Sequence, residues 1–284
     1  MTSSLAADIE RLAALGDDAP GGAVRRAVDE LINELEAGTV RAATPPEADD
    51  DPAAAWTVHP WVKRGILLGF RFSDVIDLPP AGPLGFRDKE AFPPRPVEGM
   101  PGVRVVAGGS AVRRGAHIGA GAILMPPCYV NVGAYVAGGS MVDSHALVGS
   151  CAQIGSGVHL SAGAQIGGVL EPPGAMPVIV EDGCFVGALA AVVEGVRLGT
   201  GTVVGAGVIL TRSTPVYDLP RRRVLRGGPD GTLSIPPRSV LVPGTRPVGD
   251  PWAREQGLSA GCAIIVKERD PGTDARAALE GVLR

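Results

Sequence analysis

Aliphatic side chains recur at every sixth position through the middle of the chain. A first run is in unbroken register, and a second run follows after a gap of fourteen residues. The positions are Val106, Val112, Ile118, Leu124, Val130, Val136, Val142, Val148, Ile154, Leu160 and Ile166, then Val180, Val186, Val192, Leu198, Val204 and Leu210. A period of six fits neither the 3.6-residue repeat of a helix nor the alternation of one long strand. It predicts a parallel β-helix of short strands and tight corners, with three hexads in each triangular coil.

Small residues complete this hexapeptide pattern. Glycine often follows the aliphatic residue, where a corner requires positive φ or leaves no room for a Cβ. Cys128 and Cys184 fall on the position of the hexad that is usually Ala or Ser. Together with Cys151 and Cys262 they form no Cys-x-x-Cys pair, so the favoured interpretation is small buried hydrophobes, with a reactive thiol as the alternative.

The flanking segments follow other periods. Helical spacing of apolar residues predicts three helices, at 4–15, 23–37 and 60–72. An acidic loop at 45–52 lies between the second and third helices, and a proline-rich linker at 79–101 follows the third. After Leu210 we expect an excursion or hairpin at 219–232, strands at 235–243 and 262–267, and a final helix at 273–283. The predicted domains are 1–101, mainly helical; 102–218, the β-helix; and 219–284, the C-terminal strands and helix.

Composition narrows the class of function. The 26 basic and 30 acidic residues give a net charge of −4, which argues against a nucleic-acid partner. No apolar run approaches the roughly 18 residues of a membrane span, and no signal peptide is visible, so we expect a cytoplasmic protein. The four histidines include no pair at metal-ligand spacing, so we expect no metal.

Longer segments carry a more specific signal. These are WVKRGILLGFR at 61–71, GVRVV at 102–106, YVNVGAYV at 129–136, MVDSHALVGSCAQIG at 141–155, VHLSAGAQIGGVLEPP at 158–173, VEDGCFVGA at 180–188 and VVEGV at 192–196. Across about residues 20–270 the chain resembles the tetrahydrodipicolinate N-succinyltransferases. The resemblance implies a left-handed prism, a homotrimer, succinyl-CoA as cosubstrate and an amino-dicarboxylate acceptor of the diaminopimelate and lysine pathway. It also implies an active site in the groove between two prisms, where the acceptor amine attacks the thioester.

The resemblance nominates the residues that bind the acceptor. Arg104 matches a family arginine that holds the acceptor, and a planar guanidinium suits a carboxylate. Asp143 matches the family aspartate of the Met-Val-Asp segment, which orients and deprotonates the amine. The alternatives are a surface arginine and an aspartate that satisfies a turn.

The chain departs from the family where two charges are expected. Leu189 and Ala191 replace a family Arg and Glu of the acceptor pocket, while their flanking sequence is intact. His145 replaces a family Trp. If Asp143 and His145 share a strand face, His145 is a candidate base in a rebuilt site; the alternative is a solvated or packing histidine.

The CoA-binding candidates lie in the later coils. They are Gly187, Ala188, Gly205, Ala206, Arg212, Ser213 and Lys267, with Arg221–Arg223 as further basic residues that could meet the phosphates. For each basic residue a solvated surface charge is the alternative.

Three functions remain open from the sequence. The first is succinyl-CoA:tetrahydrodipicolinate N-succinyltransferase. The second is a paralogue that acylates a related amine with acetyl- or succinyl-CoA, which the altered residues 189–191 and His145 favour. The third is an inactive trimeric homologue, against which Asp143 and Arg104 argue.

Overall fold

Three helices form most of the N-terminal region. A computed structural model describes residues 2–46, 56–78, 85–228 and 231–273. The predicted helices are confirmed as α1 Thr2–Ala14, α2 Gly21–Ala37 and α3 Pro60–Phe72. Helix α2 ends at Gly38, whose φ of 78° closes the helix in the left-handed conformation that glycine adopts without strain. The apolar faces of the three helices pack into one core. Among the described residues, no helix has the length and apolar character that a membrane span requires.

Two small antiparallel strand pairs lie before and after α3. Strands β1 Ala43–Thr44 and β2 Thr57–Val58 pair, and β3 Val75–Leu78 pairs with β4 Phe86–Lys89. The predicted linker contains no α-helix where it is described. It does contain a strand, because β3 supplies a pairing partner that proline content does not reveal, and a short 3-10 helix at Val97–Gly99. Of the predicted acidic loop, residues 47–52 lie outside the described residues.

The hexads form a parallel β-helix, as predicted. Almost every coil strand has two residues, the first facing outward and the second inward. The strands are β5 Arg104–Val105, β6 Ala111–Val112, β7 His117–Ile118, β8 Ile123–Leu124, β9 Tyr129–Val130, β10 Tyr135–Val136, β11 Met141–Val142, β12 Leu147–Val148, β13 Gln153–Ile154, β14 His159–Leu160, β15 Gln165–Ile166, β16 Ile179–Val180, β17 Phe185–Val186, β18 Ala191–Val192, β19 Arg197–Leu198, β20 Val203–Val204 and β21 Ile209–Leu210. Pairs such as Val142↔Leu160 confirm the stacking of residues eighteen apart.

An excursion follows β21 before the coils resume. It contains the antiparallel pair β22 Val216–Asp218 and β23 Arg223–Leu225, which confirms the predicted hairpin region. The chain then returns as β24 Ser234–Ile235 and β25 Ser239–Pro247, and β26 Ser259–Glu268 pairs with β25 after the short helix α4 Pro251–Glu255. Ile235 pairs with Leu198, so the proposed domain boundary at 218 falls inside an insertion between coils. The predicted helix at 273–283 lies, beyond Thr273, outside the described residues.

The coil strands make three sheets. Sheet A contains β5, β8, β11, β14, β17, β20 and β25; sheet B contains β6, β9, β12, β15, β18 and β21; sheet C contains β7, β10, β13, β16, β19 and β24. We call the turns that lead from sheet A to sheet B the A–B corner, and name the other two corners in the same way. The inward residues of all three sheets form the central core of the prism.

The predicted register is wrong at the first coil. Val105, not Val106, pairs with Leu124. The next corner holds one extra residue, which Gly108 and Gly109 accommodate at φ values of 142° and 92°. A hexad count cannot detect a single insertion when two valines are adjacent.

The fourteen-residue gap is an insertion at the B–C corner. Val180 still pairs with Ile154, so residues 167–178 loop out without disturbing the stack. Lys63 of α3 is fully buried and donates from Nζ to the carbonyl of Ala175 over 2.6 Å, which ties this loop to the helices. Burial lowers the pKa of Lys63.

All four cysteines are buried, with no disulfide. Burial raises the pKa of both Cys151 and Cys184 to about 12. A thiol with such a pKa carries almost no thiolate at neutral pH, so for these two residues the hydrophobic interpretation is confirmed over the reactive one.

Candidate active site at one corner of the prism

Most of the predicted site residues lie together along the A–B corner. Turns at 143–146, 161–164, 187–190 and 205–208 stack there, coil on coil. The third residue of each turn has positive φ: 60° at His145, 71° at Gly163, 58° at Leu189 and 70° at Gly207. This edge contains the predicted residues Asp143, His145, Gly187, Ala188, Leu189, Gly205 and Ala206. Ala191 begins the next strand of sheet B.

The Asp143 carboxylate accepts a hydrogen bond within its own turn and also faces the imidazole of His159. Its Oδ1 accepts a hydrogen bond from the Ser144 amide over 2.7 Å, which is the turn role that any corner aspartate plays. Its Oδ2 lies 4.0 Å from Nε2 of His159, and the Asp143 side chain is 29% exposed. One oxygen of the Asp143 carboxylate therefore binds the backbone, and the other lies near an imidazole in a side chain that is partly exposed to solvent.

His159 was missed by the sequence reasoning. It occupies the outward position of β14, in register with Met141 below and Phe185 above. The Phe185 ring meets the imidazole edge-on, with 4.9 Å between centroids, and only 12% of the His159 side chain is exposed. The spacing in the sequence could have revealed His159. It lies eighteen residues, or one full coil, after Met141, and Met141 lies two residues before Asp143.

The prediction that Asp143 and His145 share a strand face is wrong. Strand β11 ends at Val142, and His145 lies in the turn. Its amide donates to the Pro127 carbonyl over 2.6 Å, while its side chain is exposed. The hexapeptide corner requires a left-handed residue here, and that requirement overrides strand alternation.

Leu189 and Ala191 form an uncharged flank of this corner. Leu189 is 73% exposed, an unusual state for leucine, and its side chain covers Gly163 on the coil below. Ala191 pairs with Gln165, whose Nε2 donates to the carbonyls of Gly163 and His145 over 3.0 and 3.3 Å. The amide of Gln165 thus binds two of the corner turns, and sequence reasoning did not single it out.

Arg104 lies on sheet A, whose strand β11 leads directly into Asp143. It is exposed on β5, and one strand, β8, lies between β5 and β11. Two strand spacings separate Arg104 from the strand of Asp143, or about 10 Å. A small dicarboxylate can span that distance.

The predicted CoA residues fall into two groups. The first group lies at the A–B corner and contains Gly187, Ala188, Gly205 and Ala206. Packing of the stacked coils also requires glycine at both glycine positions. A Cβ on Gly187 would lie 2.6 Å from the Ala206 amide nitrogen, and one on Gly205 would lie 2.8 Å from the Leu241 carbonyl oxygen. The stacked coils leave no room for either.

The other predicted CoA residues lie elsewhere in the chain. Arg212 and Ser213 are at the opposite end of sheet B, where the Arg212 amide donates to Glu194 over 3.2 Å. Lys267, on β26, makes a 2.6 Å ion pair with Asp270 and holds the pKa of that carboxyl well below its usual range. Arg221 and Arg223 pair with the buried Asp218, which favours a structural role for both. In a single chain Arg212 and Ser213 follow sheet B and so lie away from the A–B corner, whereas Lys267 lies two strand spacings from β20, which leads into that corner.

No metal site is evident in the part of the chain that the structure describes. Within those ranges no three His, Cys, Asp or Glu side chains come together as metal ligands would.

Comparisons with known proteins agree with this architecture. Residues 4–72 match the family model described as tetrahydrodipicolinate N-succinyltransferase N-terminal, and residues 177–212 match the hexapeptide repeat of succinyl-transferase. The predicted left-handed parallel β-helix of hexapeptide repeats, with its small helical N-terminal region, is confirmed.

Two relatives that align over nearly the whole chain have the same name. The 2,3,4,5-tetrahydropyridine-2,6-dicarboxylate N-succinyltransferase of Paracidovorax citrulli (strain AAC00-1) is 45% identical over 97% of this chain and 95% of its own. The enzyme of the same name from Methylorubrum populi (strain ATCC BAA-705 / NCIMB 13946 / BJ001) is 42% identical over 93% of this chain and 91% of its own. The chain belongs to the tetrahydrodipicolinate N-succinyltransferase family.

Proposed function

We propose that the protein is an acyl-CoA-dependent N-acyltransferase that transfers a succinyl group from succinyl-CoA to tetrahydrodipicolinate. The observation that carries the proposal is Asp143. It lies at an open prism corner, half-buried, with one oxygen bound to the Ser144 amide and the other 4.0 Å from Nε2 of His159. The near-complete alignment with relatives of that name supports the choice of acceptor and donor.

The chemistry requires a base at the acceptor nitrogen. Tetrahydrodipicolinate has a ring C=N bond, so water must first add to the ring carbon. The hydrated ring nitrogen then attacks the thioester carbonyl, and it must lose its N–H proton as the amide forms. Asp143 accepts that proton, Arg104 holds an acceptor carboxylate, and the N–C bond forms as the C–S bond breaks. The CoA thiol is the leaving group. No step requires a metal.

A homotrimer completes the site in this proposal. The outward face of sheet B carries Tyr129, 37% exposed, and Ile209, 59% exposed, beside the exposed Leu189. Apolar side chains aligned on one flat face suit contact with another copy. A neighbouring prism against this face would form the groove for CoA. It would also bring Arg212, Ser213 or Lys267 of one copy within reach of the A–B corner of another. The cytoplasmic location stays a prediction.

A second acceptor class is favoured by one observation. Leu189 and Ala191 present an uncharged surface two coils above Asp143 on the same corner, where a pocket for a dicarboxylate would gain from charge. A related amine with a more apolar region near Leu189, acylated from acetyl- or succinyl-CoA, is the alternative.

A direct assay separates these proposals. Thiol release is measured with succinyl-CoA and acetyl-CoA, each against tetrahydrodipicolinate and against 2-aminopimelate-like amines. Turnover of tetrahydrodipicolinate with succinyl-CoA at a normal enzymatic rate supports the first proposal. A preference of tenfold or more for another amine, about 1.4 kcal/mol, supports the second. No transfer with any pair contradicts both.

A further inference from the structure

The last long hairpin of the chain does not follow the prism around the A–B corner. Strand β25 pairs in parallel with β20 as far as Leu241, whereas the chain after β20 turns at Gly205 into sheet B. A Cβ on Gly205 would lie 2.8 Å from the Leu241 carbonyl oxygen and 3.6 Å from Cα of Val242, so β25 passes directly over that turn. Strand β25 then continues to Pro247, which is about 20 Å further at roughly 3.3 Å per residue. We call residues 242–261 the arm, and it projects from the prism at the A–B corner.

The arm has solvent on both of its faces. Every residue in it is exposed or half-exposed except Ala253, so β25 and β26 form here a two-stranded ribbon, which is marginally stable at best in water. Beyond Leu241, β25 pairs with β26 alone in the described chain. Pro243 and Pro247 lack the N–H donor that a further strand would need, which disfavours strand addition at this edge. A partner that stabilises the arm must therefore contact its side chains.

Hydrogen bonds hold the tip of the arm in one arrangement. Oδ1 of Asp250 accepts from the Ala253 amide over 3.0 Å at the start of α4, and the Leu258 amide donates to the Ala253 carbonyl over 2.9 Å. This tip leaves Trp252 64% exposed and Leu258 47% exposed. The arginines and acidic residues of the arm are equal in number, so the arm has no net charge. Exposed large apolar side chains on a neutral element favour a protein partner.

Sheet B has a surface that matches this tip. The outward positions of its six strands are all exposed or half-exposed, and none of them is charged; they are Ala111, Tyr129, Leu147, Gln165, Ala191 and Ile209. Charged residues make up 20% of the whole chain. Depletion of charge on an exposed face is the compositional mark of an interface core.

We propose that the arm is the docking element for a second copy of this chain, and that Trp252 and Leu258 lie on the outward face of sheet B of the neighbouring prism. This inference rests on the homotrimer of the proposed function and names a contact that holds it together. The arm and sheet B are different surfaces, so the contact is heterologous, and three copies around a three-fold axis close it into a ring. Because the arm leaves the prism at the A–B corner, the same contact places the neighbouring prism beside Asp143.

The first test measures the mass of the assembly by light scattering during size-exclusion chromatography. We expect the wild type to be a trimer at micromolar concentration. Trp252→Ser with Leu258→Ser should weaken association about 30-fold or more, the effect of losing an aromatic hot spot, and give monomers. Leu15→Ser is the matched control, because Leu15 is 43% exposed and lies outside the arm and sheet B; it should stay trimeric. Circular dichroism shows that each variant keeps the wild-type fold.

A second variant keeps the arm and changes the surface that it meets. Ile209→Glu places a charge on sheet B at a position that is 59% exposed, so the isolated chain should fold while the trimer is lost. When this variant is mixed with the arm variant, one intact arm can meet one intact sheet B. The mixture should therefore form a complex of two chains and no trimer.

The possible failures are distinguishable. An arm variant that stays trimeric, or a mixture that stays monomeric, would overturn the inference and leave the homotrimer standing. An arm variant that stays trimeric but binds succinyl-CoA more weakly would assign the arm to the ligand instead. A monomeric wild type would contradict the homotrimer, and the inference with it. Acyl transfer is tested separately by thiol release, since none of these masses depends on activity.

Discussion

Sheet C and the A–B corner are built from the same hexad, yet they offer opposite chemistry. On sheet C the outward side chains are covered: Nδ1 of His117 lies 2.9 Å from the Glu36 carbonyl oxygen, and Arg41 stacks on Tyr135 at 3.8 Å while its Nε bonds to Gln153. At the A–B corner, helices do not cover Asp143, Leu189 and Ala206, which keep exposed or half-exposed side chains. Outward positions of a β-helix thus become structural where the N-terminal region packs and remain available for ligands elsewhere.

The largest expected effect concerns the core that both regions share. Leu160 is fully buried inside the prism, directly beside the outward His159. Leu160→Ala should lower the free energy of unfolding by about 2–5 kcal/mol, as buried leucine truncations do. Denaturant unfolding measures it. Ile209→Ala, at an outward position that is 59% exposed, is the control and should change much less in the isolated chain. Equal losses would mean that the inward and outward positions are not distinct.

The next effect concerns the lost charges. Restoring the family pair by Leu189→Arg with Ala191→Glu should raise kcat/KM on tetrahydrodipicolinate by about 10- to 150-fold, because one hydrogen bond to a charged group contributes about 1.5–3 kcal/mol. Steady-state kinetics with succinyl-CoA checks this. If the wild type is already fast and the double variant is no faster, other residues complete the pocket. His145→Trp, the family residue, then tests His145 first.

A smaller effect concerns the corner itself. His145 holds φ at 60°, which costs a residue with a Cβ about 1–2 kcal/mol. His145→Gly should therefore raise the free energy of unfolding by about 1 kcal/mol, part of the gain being offset by the entropy of the unfolded chain. Thermal melts give the stability, and the assay gives the rate. A stabilised variant with wild-type kcat/KM would remove His145 from the list of candidate bases.

The smallest expected effect concerns the pH dependence of stability at His117, on the sheet that the N-terminal region covers. Burial lowers the pKa of His117, so as pH falls the imidazole is protonated in the unfolded chain before it is protonated in the folded protein. Stability contributed by neutral His117 is present above the unfolded pKa near 6.5 and declines as pH falls through it. His117→Gln should flatten the fall of unfolding free energy between pH 7 and 5, measured by urea titration. An identical pH slope in both proteins would contradict the burial of this imidazole.

The repeat was predictable because each hexad specifies its own strand and corner. The period predicted the inward column, and apolar spacing predicted the three helices. What a period cannot show is a change in the coil length: the extra residue before Val112 moved Val105 into register instead of Val106.

The site was predictable only in part, for a related reason. Motif matching nominated Asp143 and the later glycines, and the structure brings them to one corner. It missed His159, because the contact between two outward residues depends on how adjacent coils align. It also assigned His145 to a strand face, because the corner conformation depends on backbone φ rather than on side-chain alternation. Arg212, Ser213 and Lys267 stay predictions that depend on a second copy.

The central claim is that the open corner, and Asp143 in particular, performs the acyl transfer. Asp143→Asn keeps the size of the side chain and the acceptor for the Ser144 amide while removing the base. We predict that kcat/KM falls by about 10²-fold or more while CoA affinity, measured by calorimetry, and thermal stability stay near wild type. A variant that folds, binds CoA and turns over the acceptor at a rate close to that of the wild type would contradict the account.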